Sequence, residues 1–167
     1  MWAGHQQGGP AGIEETSVNW ALGGLQRFDH ASDTAWPYGN PRWTQGRPGP
    51  ATDPANLRAL PRWRLVPTPT FAAMAVELDG ARALIATVGQ VYAAWRRADG
   101  LVDAPPAQRT IKNHAVLVVG TVSATAERPQ ALIIKNSWGA GWGDGGYGYM
   151  TQGYVDSYIV RCHVLEP

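Results

Sequence analysis

The sequence has one cysteine, Cys162, in 167 residues. A single thiol excludes an intrachain disulfide framework and any zinc site built from several cysteines. Charge is scarce too: 16% of residues are charged and the formal net charge is +1. The arginines stand singly apart from Arg96-Arg97, so there is no basic stripe of the kind that grips nucleic acid, and no nucleic-acid partner is expected. Apolar runs are short and broken by Gly, Arg or Lys, far from the roughly 20 residues of a membrane span, so no membrane partner is expected. Met1 leads into Trp2-Ala3-Gly4-His5-Gln6 without a basic region before an apolar run, a start unlike a secretory signal. His5, His30 and His163 are scattered, with no metal-ligand spacing; neither a metal nor a cofactor is expected. The compartment is left open.

What is present is a globular composition, 44% hydrophobic, with 20 glycines and 13 prolines that imply many turns. A chain of this length can form one domain with a real core. Residues 1–12 read as a loop. Glu14-Glu15-Thr16-Ser17 then supplies acids and a capping hydroxyl, and Val18, Ala21, Leu22, Leu25 and Phe28 form one apolar stripe of a helix ending near Asp29-His30. From Ser32 to Pro69 the chain holds eight prolines, three glycines and the aromatics Trp36, Tyr38, Trp43 and Trp63, which predicts a long irregular segment packed by its own side chains. A second helix is expected over 71–78, a strand over 83–88, a helical turn near 92–97, and paired buried strands over 115–122 and 131–134. Residues 147–150 and 158–160 read as two further strands. Together these give a mainly antiparallel sheet or barrel in the second half.

Two segments carry the chemistry. Asn113-His114-Ala115-Val116-Leu117-Val118-Val119-Gly120 and Ile134-Lys135-Asn136-Ser137-Trp138-Gly139 each set a polar residue at the edge of an apolar strand, where a rigid element can hold it toward a cleft. His114 can take a proton from a nucleophile on one ring nitrogen if Asn136 orients the other. An amide orients without adding charge, which suffices beside a thiolate–imidazolium pair. Trp138 could cover the Asn–His bond and strengthen it by excluding water. The glycines at 139, 141, 143, 145 and 146 suit tight turns rather than a phosphate cradle, because no Lys-Ser or Lys-Thr follows them. Trp142 reads equally well as a core aromatic, Asp144 as a turn acid, and Arg96-Arg97 as a solvated face.

These segments, above all Asn136-Ser137-Trp138-Gly139 followed by Gly141-Trp142-Gly143 and Gly146-Tyr147, resemble the His and Asn blocks of papain-like cysteine peptidases. Gly8-Gly9 and Trp36-Pro37-Tyr38 resemble weaker landmarks of the same family. The resemblance implies an α+β papain-like fold: a reduced N-terminal helical lobe over 1–69, an antiparallel β-barrel-like C-terminal lobe over 70–167, and a cleft between them. It further implies His114 and Asn136 as catalytic residues, with Gly9, Ala115 and Trp138 lining the site of a peptide or protein substrate. The family's cysteine lies roughly 130–150 residues before its His and Asn, which counts back to about 16 to 36 residues ahead of Met1. Cys162 follows both and reverses the order. The resemblance therefore implies the C-terminal two-thirds of a peptidase, with a segment or second chain supplying the nucleophile, and no competence alone, since losing a protease nucleophile costs roughly 10⁶ in rate. Two alternatives stand beside it: a non-catalytic peptide-binding pseudo-peptidase, and a repurposed catalyst using His114 as acid or base.

Overall fold

The computed structural model describes residues 17–32, 34–35, 53–60, 62–80, 82–96, 99–104 and 111–166. Gly9, the Gly8-Gly9 and Trp36-Pro37-Tyr38 landmarks, and Trp43 fall outside them. The chain forms two compact units, Met1–Arg62 and Trp63–Pro167.

In the first unit, helix α1 spans Val18–Phe28, and the Ser17 hydroxyl accepts the Trp20 amide as its N-cap. Leu22, from the expected stripe, is its buried anchor. Two short strands, β1 (His30–Ala31) and β2 (Leu57–Arg58), pair antiparallel after a 3₁₀ turn at Pro54–Asn56. Asp53 caps that turn by accepting the Ala55 amide.

The second unit is a seven-stranded sheet in the order β3-β9-β4-β6-β7-β8-β5. Its strands are β3 (Trp63–Leu65), β4 (Leu84–Gln90), β5 (Leu101–Val102), β6 (Ile111–Val122), β7 (Ala131–Lys135), β8 (Tyr147–Thr151) and β9 (Ile159–Leu165). Every pairing is antiparallel except β5 with β8. One face is apolar by period-two alternation: Leu84, Ala86 and Val88 of β4 lie beside Val116 and Val118 of β6, all buried. Helix α2 (Phe71–Asp79) adds Phe71 and Met74 to this core, and helix α3 (Gln152–Tyr158) adds Tyr154 and Val155. Each helix starts on a threonine cap, Thr70 and Thr151. The two helices are also tied to each other, since Asp156 of α3 accepts the Phe71 amide at the start of α2 at 2.7 Å. This is the α+β arrangement expected from the resemblance.

Two local expectations are corrected. The stretch from Ser32 to Pro69 is not without regular elements: β2, a 3₁₀ turn and β3 lie in it, because pairs of two or three residues need only backbone partners and no periodic pattern. β3, before residue 69, is hydrogen-bonded to β9 and so belongs to the sheet of the second unit. The final strand begins at Ile159, and Tyr158 instead closes α3, a helix with no apolar periodicity long enough to register.

Candidate active site

His114 sits near the start of β6, opposite Val88 of β4, on the same face as the buried Val116 and Val118. Asn136 follows the last residue of β7, whose Lys135 pairs with Leu117. It is itself 94% buried, with 6% exposure, and its backbone N–H donates to the Gly146 carbonyl at 3.0 Å. Two neighbouring strands thus bring together residues 22 apart in sequence, and His114 Nε2 lies 2.8 Å from Asn136 Oδ1.

The Ser137 amide also donates to Asn136 Oδ1, at 2.8 Å. An atom that accepts a backbone N–H is the amide oxygen, so His114 Nε2 carries the hydrogen and donates it. In the neutral imidazole Nδ1 then holds the lone pair. The bond leaves His114 oriented as a proton acceptor at Nδ1.

The loop after Asn136 is held by its own backbone. The Trp142 N–H donates to the Gly139 carbonyl at 3.2 Å, the Gly146 N–H to the Trp142 carbonyl at 2.8 Å, and Asp144 and Tyr147 exchange bonds at 2.9 and 3.0 Å. Gly143, at φ 56°, is where glycine is required: a Cβ there would fall 2.1 Å from the Tyr147 carbonyl oxygen. Glycines in this segment do make tight turns, and Asp144 is a turn residue. The loop sends its two indoles to different places. Trp142 is buried in the core cluster, whereas Trp138 is 44% exposed and lies obliquely over the imidazole, ring centroids 5.4 Å apart at 35°.

Ala115 lies on the opposite, exposed face of β6 from His114, paired with Thr87. Cys162 is fully buried on β9, across from Ala86. Burial pushes its thiol up to about 12, so it is neutral and shielded and offers no nucleophile. His163 is buried edge-on to Trp63, a packing role. One residue that sequence reasoning missed is Trp95, in the 3₁₀ turn Ala93–Arg96, whose ring meets His114 at 5.7 Å and 82°. Only its apolar character was visible in the sequence.

An α+β sheet that brings a histidine and an asparagine into hydrogen-bond contact from adjacent strands sets the chain among the papain-like folds. The chain belongs to the papain family: the family model described as "Papain family cysteine protease" matches residues 72–166. Among similar curated proteins, "Cysteine protease" of Blomia tropicalis is 50% identical over 42 residues, covering 25% of this chain and 12% of that protein. Ananain of Ananas comosus is 46% identical over 55 residues, 33% of this chain and 16% of its own. Among solved structures, the bromelain protease of Ananas comosus in complex with the E64 inhibitor matches with a TM-score of 0.62 at 20% identity, over 86% of this chain and 66% of that one. The digestive procathepsin L 3 of the Tenebrio molitor larval midgut matches with a TM-score of 0.68 at 21% identity, over 95% and 51%. These structural likenesses establish the papain-like fold. The chain spans about half to two-thirds of those two structures' length.

Proposed function

We propose that this chain is the C-terminal part of a papain-like cysteine peptidase and supplies the His114–Asn136 half of a Cys–His–Asn device for peptide-bond hydrolysis. The thiolate would come from polypeptide outside these 167 residues. One observation carries the reading: the 2.8 Å bond between His114 Nε2 and Asn136 Oδ1 leaves Nδ1 as the proton-accepting atom. Cys162, buried and neutral, supports an external nucleophile.

In this mechanism a thiol at Nδ1 gives its proton to His114, and the resulting thiolate attacks the scissile carbonyl carbon. The imidazolium then returns the proton to the leaving amine as the tetrahedral intermediate collapses to a thioester. Water, deprotonated by Nδ1, hydrolyses the thioester and restores the thiol. Asn136 keeps the ring oriented throughout without a second negative charge. Trp138, half-exposed beside the ring, limits water at the Asn–His bond. The isolated chain does not turn over peptides.

The test is complementation. Adding a peptide that spans the family's Gln- and Cys-bearing segment restores thiol-dependent cleavage of an unstructured peptide, and His114→Ala abolishes it. No cleavage at any concentration of the added segment overturns the reading; peptide binding without turnover would then favour a pseudo-peptidase.

A further inference from the structure

The bond from Asn136 fixes one atom of the imidazole, but the thiol of the proposed device needs a different one. Nε2 lies closer to the extended Cβ–Cγ axis of histidine than Nδ1 does, so rotation about χ2 carries Nδ1 through the wider arc. That torsion joins an sp³ to an sp² carbon and has broad wells. One hydrogen bond restrains that torsion only within its angular tolerance, and a second contact on the ring narrows it further.

Trp95 stands where such a restraint is needed. Its fully buried indole lies at 82° to the imidazole with centroids 5.7 Å apart. With Trp138 it closes a nearly equilateral triangle of rings, 6.0 Å between the indoles and 5.4 Å from Trp138 to His114. The indole is itself held from behind. Trp142 Nε1 donates to the Trp95 carbonyl and its ring lies tilted against the Trp95 ring at 6.2 Å and 32°, and Tyr154 of α3 meets the Trp95 ring at 5.8 Å while its hydroxyl donates to the Gln90 carbonyl. A ring anchored on the core side and edge-on to the imidazole transmits the rigidity of the sheet and of α3 to χ2.

We propose that Trp95 is a positioning residue that fixes the ring plane of His114, and with it the direction of Nδ1. The inference rests on His114 being the imidazole of the proposed device. It adds that the aim of the base is set by the 3₁₀ turn after β4, a part of the chain outside the His and Asn segments.

The readout is the His114 side chain in the full 167-residue chain labelled with ¹⁵N, which requires no cleavage. A ring locked against Trp95 keeps its Nε2–H bonded to Asn136, giving one tautomer and slow exchange with water. Trp95→Leu keeps apolar bulk but loses the flat edge; exchange of that proton should rise about tenfold or more, and the Nδ1 and Nε2 shifts should move toward each other. Trp95→Phe, which keeps an aromatic edge, should restore exchange to within about threefold of the parent. Val164→Ala, a core truncation opposite Leu84 and four residues along β4 from the residue facing His114, should leave the signal unchanged. Should Trp95→Leu not fold, Trp142→Phe decides, since it removes the donor to the Trp95 carbonyl while keeping an aromatic ring at that place in the core, and should raise exchange severalfold. The proposal is overturned if folded Trp95→Leu, or Trp142→Phe in its place, exchanges like the parent, or if Val164→Ala loosens the ring equally. Failed complementation with an intact Trp95 effect would sink the peptidase reading alone.

Discussion

Asn136, itself almost closed to water, accepts two hydrogen bonds on one oxygen, from His114 Nε2 and from the Ser137 amide. Removing the acceptor strands both donors. Asn136→Ala is therefore expected to lower the unfolding free energy by about 1–3 kcal/mol, the cost of a buried donor left unsatisfied. Urea denaturation measures this, and a loss below about 0.5 kcal/mol, the range of ordinary surface changes, would show that the bonds contribute nothing. Cys162 gives a second prediction at this scale. Buried, with its thiol pushed up to about 12, it should resist a disulfide reagent at pH 8 in the folded chain and react promptly in urea. Fast native labelling would contradict its placement in the core. Cys162→Ala should leave any cleavage restored by complementation intact, separating this thiol from the catalytic one.

At the scale of elements, β9 and β4 enclose a titratable group. His163 sits opposite Ile85 and edge-on to Trp63 of β3; desolvation lowers its affinity for a proton, Arg161 lowers it further, and a backbone hydrogen bond with Ile85 partly opposes them. A base whose folded-state pKa lies below its ordinary 6.5 leaves the unfolded chain with more bound protons as the pH drops. Stability is thus full above about pH 6.5 and falls as the solution is acidified through the folded value. Urea midpoints from pH 8 to 5 should decline below 6.5, and His163→Phe should flatten that part of the profile; an unchanged slope would assign it to another histidine. How legible these elements were depends on what fixes each one. Helix α1 announces itself through its Ser17 cap, α1 and α2 both through apolar residues at helical spacing, and β4, β6 and β7 through β-branched runs. α3 was hidden because Gly153, Asp156 and Ser157 are weak helix formers and seven residues show no period; Thr151 was its one readable sign. The His114–Asn136 pairing was legible as two polar residues at the edges of apolar strands and in the resemblance those segments carry, and composition could not have supplied it. A bulge between Val118 and Gly120 sets the register of β6 on β7, and alternation alone does not reveal such a slip. Trp95 was missed because its role arises from contacts with residues far along the chain, among them Trp142, 47 positions away.

The molecule as a whole divides unevenly. Every residue of the buried core cluster lies between Val66 and Val164, and the family match, residues 72–166, falls within the same unit. The unit Trp63–Pro167 thus contains its own core, both helices that cover it, and the His–Asn pair. A unit with its own core can fold alone. Residues 63–167 expressed by themselves are expected to unfold cooperatively in urea and to retain the single His114 tautomer; a chain that stays unfolded, or one with averaged imidazole shifts, would show that the first unit is needed to form the site. Where the fragment starts matters. β3 covers the edge of β9, Arg64 reaches Glu77 of α2 at 2.6 Å and Glu166 at 3.0 Å, and Arg82 joins Glu77 at 3.0 Å, so β3 and α2 are tied together at the end of the β9–β4 pair where Leu84 faces Val164. Such ion pairs at the rim contribute little individually, whereas an uncovered strand edge invites pairing with another chain. A fragment of residues 70–167 is therefore expected to have a lower urea midpoint and to associate with increasing concentration in sedimentation. If the two fragments behave alike, β3 is dispensable, and the unit is held by the core that the other strands build with α2 and α3.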